Sequence, residues 1–563
     1  MSLRLLIVVL AGLGAGWYAA LPPRGPSPAS RSSEAAVVRG VLHVHTSRSD
    51  GTGTVDEVAA AAARAGLDFV VFTDHGDATR EPDPPAYRHG VLCIDGVEIT
   101  TRDGHLVALG LPAAPYPLGG EARDAVEDVA RLGGVSIAAH PGSAKGDLQW
   151  SDWSLPVSGF EWLNGDSEWR DESAWSLARA LIGYPARRTE TLLSTLDRPA
   201  GVLERWDRVT RGRRAMVVAG TDAHARVGLR SLGEPYDRTA AFHVPGYERM
   251  FGVFSTVLTD TTLSGDAATD AQRVIEAVRG GRTYTRVDAV ANHGTLTLTA
   301  ESGAAHAATG GVLPADVPVT LRAELHDPPP GVRLELLKNG VAVAGSTSAR
   351  LEHAADRATG AYRVEVQAPG APGMPPVPWI VSNPIYLGSY QDAAAMPLRP
   401  PPAAATVQYA DGAATGWTIE TSASALGALD VAPATRGTQL ALRYALGGAE
   451  SQSPYVAFVM PAGGALAAHD RLIFTGRSDR PMRLSVQLRE PGGEQGRRWQ
   501  RSVVLDSEAR DVVVPFDELR PADEGTGPPA LDRVDSVLFV VDTVHTPLGA
   551  SGRIWIDEVK YGR

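Results

Sequence analysis

The sequence predicts a multidomain chain in which an α/β sheet or barrel is followed by two all-β sandwich domains. Three observations predict it. Between Arg39 and about Arg286, short β-rich runs alternate with Ala/Arg/Glu-rich helical patterns: VLHVHT, then VDEVAAAAARAG, then FVVFTDH, and later AVEDVARLG before VSIAAHP. That rhythm belongs to a parallel α/β sheet or barrel, a fold whose chemistry gathers at strand ends. After Arg286 the helical pattern stops, and LTLTAES, VTLRAEL, VRLELLKNGVAVAG and YRVEVQA alternate with Gly/Pro/Asp turns. A third block from Thr406 onward again offers only strands, among them YVAFVMP, RLSVQLRE, SVLFVVD and RIWIDEVKYG.

These blocks give the expected organisation. Residues 1–38 form a leader plus linker, 39–288 the α/β barrel, 289–390 a small β-sandwich, 391–405 a linker, and 406–563 a second sandwich or jelly roll. Within the leader, MSLRLLIVVLAGLGAGWYAA is an apolar run behind Arg4, followed by the Pro/Ser-rich stretch Leu21–Ser33. It reads as a signal peptide or an uncleaved membrane anchor, so the chain is expected to be exported and periplasmic, secreted or tethered. The linker is marked by the Pro-rich Pro397–Ala405.

The chain has 563 residues with 53 Lys+Arg against 65 Asp+Glu, a net charge of −12. No basic run interrupts that balance, which argues against a nucleic-acid partner. Cys93 is the only cysteine. An intrachain disulfide is therefore excluded, and its apolar setting in GVLCIDGVEIT marks a buried strand residue rather than a nucleophile.

The residues that carry chemistry sit at the ends of the strand-like runs. His43-Val44-His45 opens the series, with Asp50-Gly51 just downstream; His75 ends the next strand pattern, Glu98 ends GVEIT, His105 opens GHLVALG, His140 ends SIAAHPG, and Asp222-x-His224 ends VVAGTDAH. Residues two apart in a strand share a face, so His43 and His45 can reach one ion. Imidazole and carboxylate together suit borderline transition metals. Six such strand ends in a row are hard to explain as scattered polar residues.

The set HVHT-SDG, TDH, GVE, GH, AHP and TDAH resembles the PHP family, the polymerase-and-histidinol-phosphatase type of metal-dependent phosphoesterase, over roughly residues 40–286. The resemblance implies a distorted (β/α)7 barrel with a trinuclear centre in its mouth. It implies one ion at His43, His45, Glu98 and Asp222, a second at bridging Glu98, His105 and His140, and a third at Asp50, His75 and His224. The family often has His where this chain has Asp50. Two or three divalent ions (Zn, Mn or Fe) are implied, with a water between them as nucleophile and the ions polarising the scissile group. Cleavage of a small-molecule phosphoester is the implied reaction, with a carboxylic or carbamic ester as the alternative.

Around this set, Asp74 is a candidate to orient an imidazole, with a surface or turn role as the alternative. Arg226 and Lys145, just past TDAH and AHPG, are candidate cations for an anionic substrate group. The stretch Trp150–Trp175 holds five of the eleven tryptophans, which makes Trp153 and Trp162 candidate pocket walls beside Asn164, although aromatic residues between strands more often belong to the core. The segment DAQRVIEAVRGGRTYTRV followed by a sandwich resembles secreted PHP metallohydrolases of the carbaryl-hydrolase type. The last domain loosely resembles galactose-binding-like jelly rolls, which implies a structural calcium ion near the Asp of GRIWIDEVKYG and a carbohydrate or cell-surface contact. A non-catalytic surface protein with a metal-stabilised barrel is the contrasting reading.

Overall fold

The computed structural model describes residues 17–18, 21–22, 37–226, 245–391 and most of 403–563, with short gaps at 411–413, 435–436, 449–452, 463, 465, 523–524 and 526. The expected leader and the Pro-rich linker lie almost wholly outside the described residues. Among the described residues, no helix is long and apolar enough to cross a membrane. The chain divides into two compact units, one of residues 1–112 with 121–396 and one of 113–120 with 397–563.

The first unit is built on a closed ring of seven strands: β1 (Arg39–Val44), β2 (Phe69–Phe72), β4 (Val91–Thr101), β5 (Gly104–Leu109), β6 (Val135–Ala138), β7 (Gly159–Asn164) and β8 (Met216–Ala223), with β8 pairing back onto β1. The short β3 (Ala86–Arg88) pairs with β4 on the outside of this order. Six of the seven strands run the same way; β5 runs antiparallel to both neighbours. The cause is local. Thr101 pairs with Gly104 across the two residues Arg102 and Asp103, a hairpin too short for a parallel crossover. Gly104 has φ +111°, and a Cβ there would stand 2.6 Å from the Trp150 amide nitrogen, so the turn requires glycine.

Helices fill only some of the connections. α1 (Val55–Arg64) joins β1 to β2, α2 (Ala122–Arg131) joins β5 to β6, and α3 to α6 (Ser167–Arg170, Ala174–Gly183, Arg188–Leu193, Ala200–Val209) lie between β7 and β8. The connections β2 to β4, β4 to β5 and β6 to β7 have none. The strict strand–helix repeat is therefore replaced there by a hairpin and by loops that carry His75 and His140. α1 begins in a capping box: Thr54 Oγ1 accepts from the Glu57 amide, and Glu57 accepts from the Thr54 amide. Its buried Val58, Ala59, Ala61 and Ala62 pack over Val70, Phe72 and Cys93. Burial pushes the Cys93 thiol up to about 11, as befits an inert core residue.

After β8 come α7 (Tyr247–Phe251), β9 (Ser255–Leu258), α8 (Ala267–Arg279) and β10 (Thr283–Arg286); β9 pairs antiparallel with β1, and β10 with β9. The sheet does not stop there. β10 pairs with Ile380–Ser382, which leads on to Gly360–Gln367 and Arg333–Lys338. A separate four-stranded sheet of Thr295–Ser302, Ala305–Ala308, Thr320–His326 and Arg350–Ala354 completes this region. So one sheet of the region expected as a small sandwich is a continuation of the barrel's sheet.

Buried polar groups fasten that extension. Asn383 accepts from the Val217 amide (2.7 Å) and donates to the Val217 carbonyl (2.9 Å), which imitates a strand partner for β8. Arg363, 2% exposed, donates through Nε and Nη2 to both oxygens of Asp207 on α6 at 2.9 Å, and through Nη1 to Glu365 at 2.6 Å; Arg198 also holds Glu365. The second unit is a sandwich of two six-stranded antiparallel sheets around a single core, with Leu440, Leu442, Ile554 and Ile556 from one sheet and Phe458, Leu484, Val537 and Phe539 from the other.

Replacing Arg363 with Met leaves the buried Asp207 carboxylate without its bidentate donor and takes one of the donors from Glu365, which Arg198 still holds. The expected result is a loss of about 3–5 kcal/mol of stability, read as a lower denaturant midpoint. An unchanged midpoint would show that the pairing is not what fastens α6 to the extension.

Candidate metal centre

All nine sequence-predicted ligands meet at one end of the barrel, and all but His75 and His224 are more than nine-tenths buried. Glu98 lies at the middle. Its Oε2 stands 3.1 Å from His43 Nε2, 3.1 Å from His45 Nε2 and 3.3 Å from His75 Nδ1, while its Oε1 stands 2.8 Å from His105 Nδ1 and 2.9 Å from His140 Nε2. Five imidazoles thus converge on one carboxylate. Asp222 Oδ1 adds to the first side, 3.4 Å from both His43 and His45. Asp50 closes the far side, 3.1 Å from His224 Nε2, 3.3 Å from His45 Nδ1 and 3.9 Å from His75 Nε2.

Local backbone explains how the chain presents these groups. His43, His140 and Asp222 all have positive φ, +65°, +31° and +46°, a conformation that costs a side-chain-bearing residue about 1–2 kcal/mol. At β1 the register slips between Val41 and Val44. This bulge, rather than a regular strand, carries His43 and His45 to the same point.

The charges are strongly coupled. Burial works to raise the Glu98 carboxyl, but His43, His75 and His105 outweigh it and hold the group well below its ordinary range. His43 is raised well above the ordinary imidazole range against the effect of burial, by Asp222, Glu161 and Glu98. His45 and His140 are raised in the same way, whereas burial carries His75 down to about 4. Four overlapping groups have ligand atoms close enough to surround a cation: His45, Asp50, His75 and His224; His43, Glu98 and His140; His43, His45 and Asp222; His75, Glu98 and His105.

The donor set fits divalent cations. His43 Nε2 and His45 Nε2 are buried with no hydrogen-bond partner although each lies 3.1 Å from Glu98, as expected where lone pairs converge on a metal position. Several tautomers are set from behind. His43 Nδ1 faces Glu161 Oε1 at 2.6 Å, His140 Nδ1 the Leu148 carbonyl at 2.9 Å, and His224 Nδ1 the Asp222 carbonyl at 2.9 Å. Donation there leaves each Nε2 as the ligating atom.

Glu161 is the residue that sequence reasoning missed. Besides His43, its carboxylate accepts from the His140 amide and from Asn164 Nδ2, both at 2.8 Å. The available signal was a carboxylate in the otherwise apolar run GFEWLN, costly to bury without partners. Asp74, expected to orient an imidazole, instead takes hydrogen bonds from the amides and hydroxyls of Thr46 and Ser49 (2.7–3.2 Å) and so fixes the loop after β1. Tyr247 supports the same loop, donating to the His45 carbonyl at 2.8 Å.

Of the other candidates, Arg226 reaches the cluster and pairs with Asp50 at 3.0 Å. Lys145 is half-buried, and among the described residues its ammonium pairs with no carboxylate. The tryptophans are mainly structural. Trp162 is buried and donates to Thr285 Oγ1 at 2.9 Å, and Trp153 stacks on Phe160 with centroids 4.4 Å apart. Trp162 and Asn164 border a cavity of about 240 Å³ that also touches Glu161, Glu168, Asp171 and Arg205. Burial holds Glu168 well above the usual carboxylate range and pushes Asp171 up to about 6. In the second unit, no comparable convergence of three His, Cys, Asp or Glu side chains occurs among the described residues.

Two outcomes are expected. Gly220 lies beside β7, and a Cβ there would fall inside the Glu161 carboxylate. Gly220→Ala and Glu161→Gln should each weaken metal binding about 10–100-fold by equilibrium dialysis, and unchanged affinity would remove Glu161 from the site. A carboxyl raised on folding stabilises the protein fully only below its unfolded value, and that stability is lost as pH rises through the folded value. Glu168→Gln should therefore raise the melting temperature at pH 8 and change it little at pH 4; equal shifts at both would contradict the buried-acid assignment.

A search of curated proteins finds no significant match to the chain. Among solved structures, it is similar to the family 11 carbohydrate-binding module of a cellulosomal cellulase from Clostridium thermocellum (17% identity over 28% of this chain and 95% of the module, TM-score 0.24). It is also similar to a mannan-recognising carbohydrate-binding module (16%, 29% and 97%, TM-score 0.20) and to an exo-β-agarase (11%, 28% and 25%, TM-score 0.21). Likeness at that level does not establish a ligand. Residues 42–113, the stretch that carries His43, His45, Asp50, His75, Glu98 and His105, match the PHP domain family, which supports the PHP family for the barrel.

Proposed function

We propose that the chain is a metal-dependent hydrolase of ester bonds, with phosphoesters as the first substrate class and carboxylic or carbamic esters as the alternative outcome of the same test. The observation that carries this is the buried Glu98 carboxylate, itself within the PHP-matching segment, ringed by five imidazoles of which four belong to that segment. Divalent ions held there would supply Lewis acidity and an activated water at neutral pH.

The chain's own residues do the rest. Glu98 offers one oxygen to each side of the cluster and so fixes the spacing of whatever is bound there. Glu161 keeps the His43 lone pair pointing inward, and the Leu148 carbonyl does the same for His140. Asp50, His75 and His224 form the outer group, where Arg226 adds a guanidinium paired with Asp50. Protons and cations compete for the same imidazole atoms, so metal binding releases protons and tightens as pH rises. The apolar run Met1–Ala20 supports action outside the cytoplasm.

The test is to strip the full chain with chelator, reload it with Mn²⁺ or Zn²⁺, and assay aryl phosphomonoesters, phosphodiesters, carboxylates and carbamates. Turnover should return only with metal. Glu98→Gln should cost more than about 100-fold, beyond the usual cost of losing an outer-shell partner, and more than Asp50→Ala, because Glu98 serves both sides of the cluster. Parental metal content and turnover in Glu98→Gln would overturn the assignment.

A further inference from the structure

Helix α4 (Ala174–Gly183) presents its apolar side the wrong way for a surface helix. Ser173 starts it, its hydroxyl accepting from the Ser176 amide at 3.1 Å. Trp175, Ala178 and Ile182 recur three and four residues apart and share one stripe, which Ala174 and Leu181 widen. A helix of a globular domain turns such a stripe to the core. Here it faces outward: Trp175 is 74% exposed, Leu181 74% and Ile182 54%, and only Gly183 of the helix is buried. Arg179, also exposed, stands at the edge of the stripe.

The end of the leader lies against the same helix. Trp17 Nε1 donates to the Ile182 carbonyl at 3.2 Å, the Arg187 guanidinium stacks on the Tyr18 ring at 5.4 Å and donates to the Pro22 carbonyl, and a Cβ on Gly183 would stand 3.4 Å from Pro22 Cδ. The chain that follows the apolar run LRLLIVVLAGLGAG therefore arrives at the C-terminal end of α4. Trp17 and Tyr18 are themselves 43% and 59% exposed, and among the described residues these two and Trp175 are the exposed aromatic side chains. Tryptophan and tyrosine at the end of an apolar run settle at the polar boundary of a bilayer. A helix with an apolar face and charge at its edge lies in that boundary. Net charge does not drive the contact, since the exposed Arg179 and Arg188 are offset by Asp171 and Glu172 just before the helix.

We propose that α4 and residues 17–22 form one surface that seats the barrel on a lipid bilayer, with the apolar leader as the anchor. Trp17, Tyr18 and Trp175 lie at headgroup level, and the stripe of Leu181 and Ile182 sinks about 5–10 Å to the edge of the acyl chains. Arg179 reaches back from the stripe to the headgroups. Lipid is the occupant, rather than a second copy of this chain, because the apolar run that ends beside Ile182 carries a bilayer to this place. The surface stands whether or not the metal centre hydrolyses esters.

The test reconstitutes the full chain in phosphatidylcholine vesicles with a nitroxide at Leu181→Cys, at Ile182→Cys or, as the control, at Glu81→Cys on the exposed loop between β2 and β3. Cys93 is buried and its thiol is pushed up to about 11, so the label goes to the introduced position. Spin relaxation is then read with oxygen, which concentrates in hydrocarbon, and with a neutral nickel chelate, which stays in water. The ratio of oxygen to nickel accessibility at Leu181→Cys and Ile182→Cys should exceed that at Glu81→Cys by about tenfold, because a polar chelate is excluded from acyl chains. Nickel accessibility as high as the control's would leave α4 in water and overturn the proposal. Low accessibility to both probes would overturn it as well, because protein, either the leader or a second copy, would then cover the stripe. Two labelled positions, each exposed in the fold, keep the test decisive if one variant is destabilised.

Discussion

The structure of the barrel mouth depends on the burial of a single carboxylate. Glu98 is 1% exposed, and an isolated carboxylate in such a place would be driven to take up a proton. Five imidazoles prevent that. Because these imidazoles arrive on and just after β1, on β5 and on the loops after β2 and β6, the run β1–β2–β4–β5–β6 with its reversed hairpin must be in place before Glu98 is satisfied.

The strain fits the same account. His43, His140 and Asp222 hold positive φ at the points where chain direction and side-chain direction must be decoupled. Support comes from rigid partners behind them: Glu161 spans His43, the His140 amide and Asn164, and Gly220 leaves the room that this carboxylate needs. Asp74 and Tyr247 hold the loop after β1. Cluster geometry is thus shared between packed strands, which carry His43, Glu98, His105 and Asp222, and braced loops, which carry the other five residues. The extension beyond β10 adds stiffness on the β7–β8 side, where Asn383 completes the edge of β8 and Arg363 ties α6 to the sheet.

The candidate ligand set was legible in the sequence because most of its members lie at the ends of strand-like runs, where an α/β barrel exposes side chains. His43, His45, Asp50, His75, Glu98, His105, His140, Asp222 and His224 all converge. For Asp74 the sequence left an imidazole-orienting role and a turn role open, because the identity of its partners depends on how the 46–49 loop folds back. For the tryptophans the choice between core and pocket wall stayed open for a related reason: Trp162 is satisfied by Thr285, more than a hundred residues later, and no local pattern reports that.

The sequence by itself determined the order of α/β and all-β blocks and the residue types at the strand ends, since hydrophobic periodicity and ligand chemistry are local properties. Tertiary structure alone decided which strands close the ring, that one of them reverses, that β10 carries the sheet onward into residues 333–382, and that Glu161 stands behind His43. Those outcomes rest on pairings between segments far apart in the chain, fixed by burial and by steric room at positions such as Gly104 and Gly220, which only the folded state brings together.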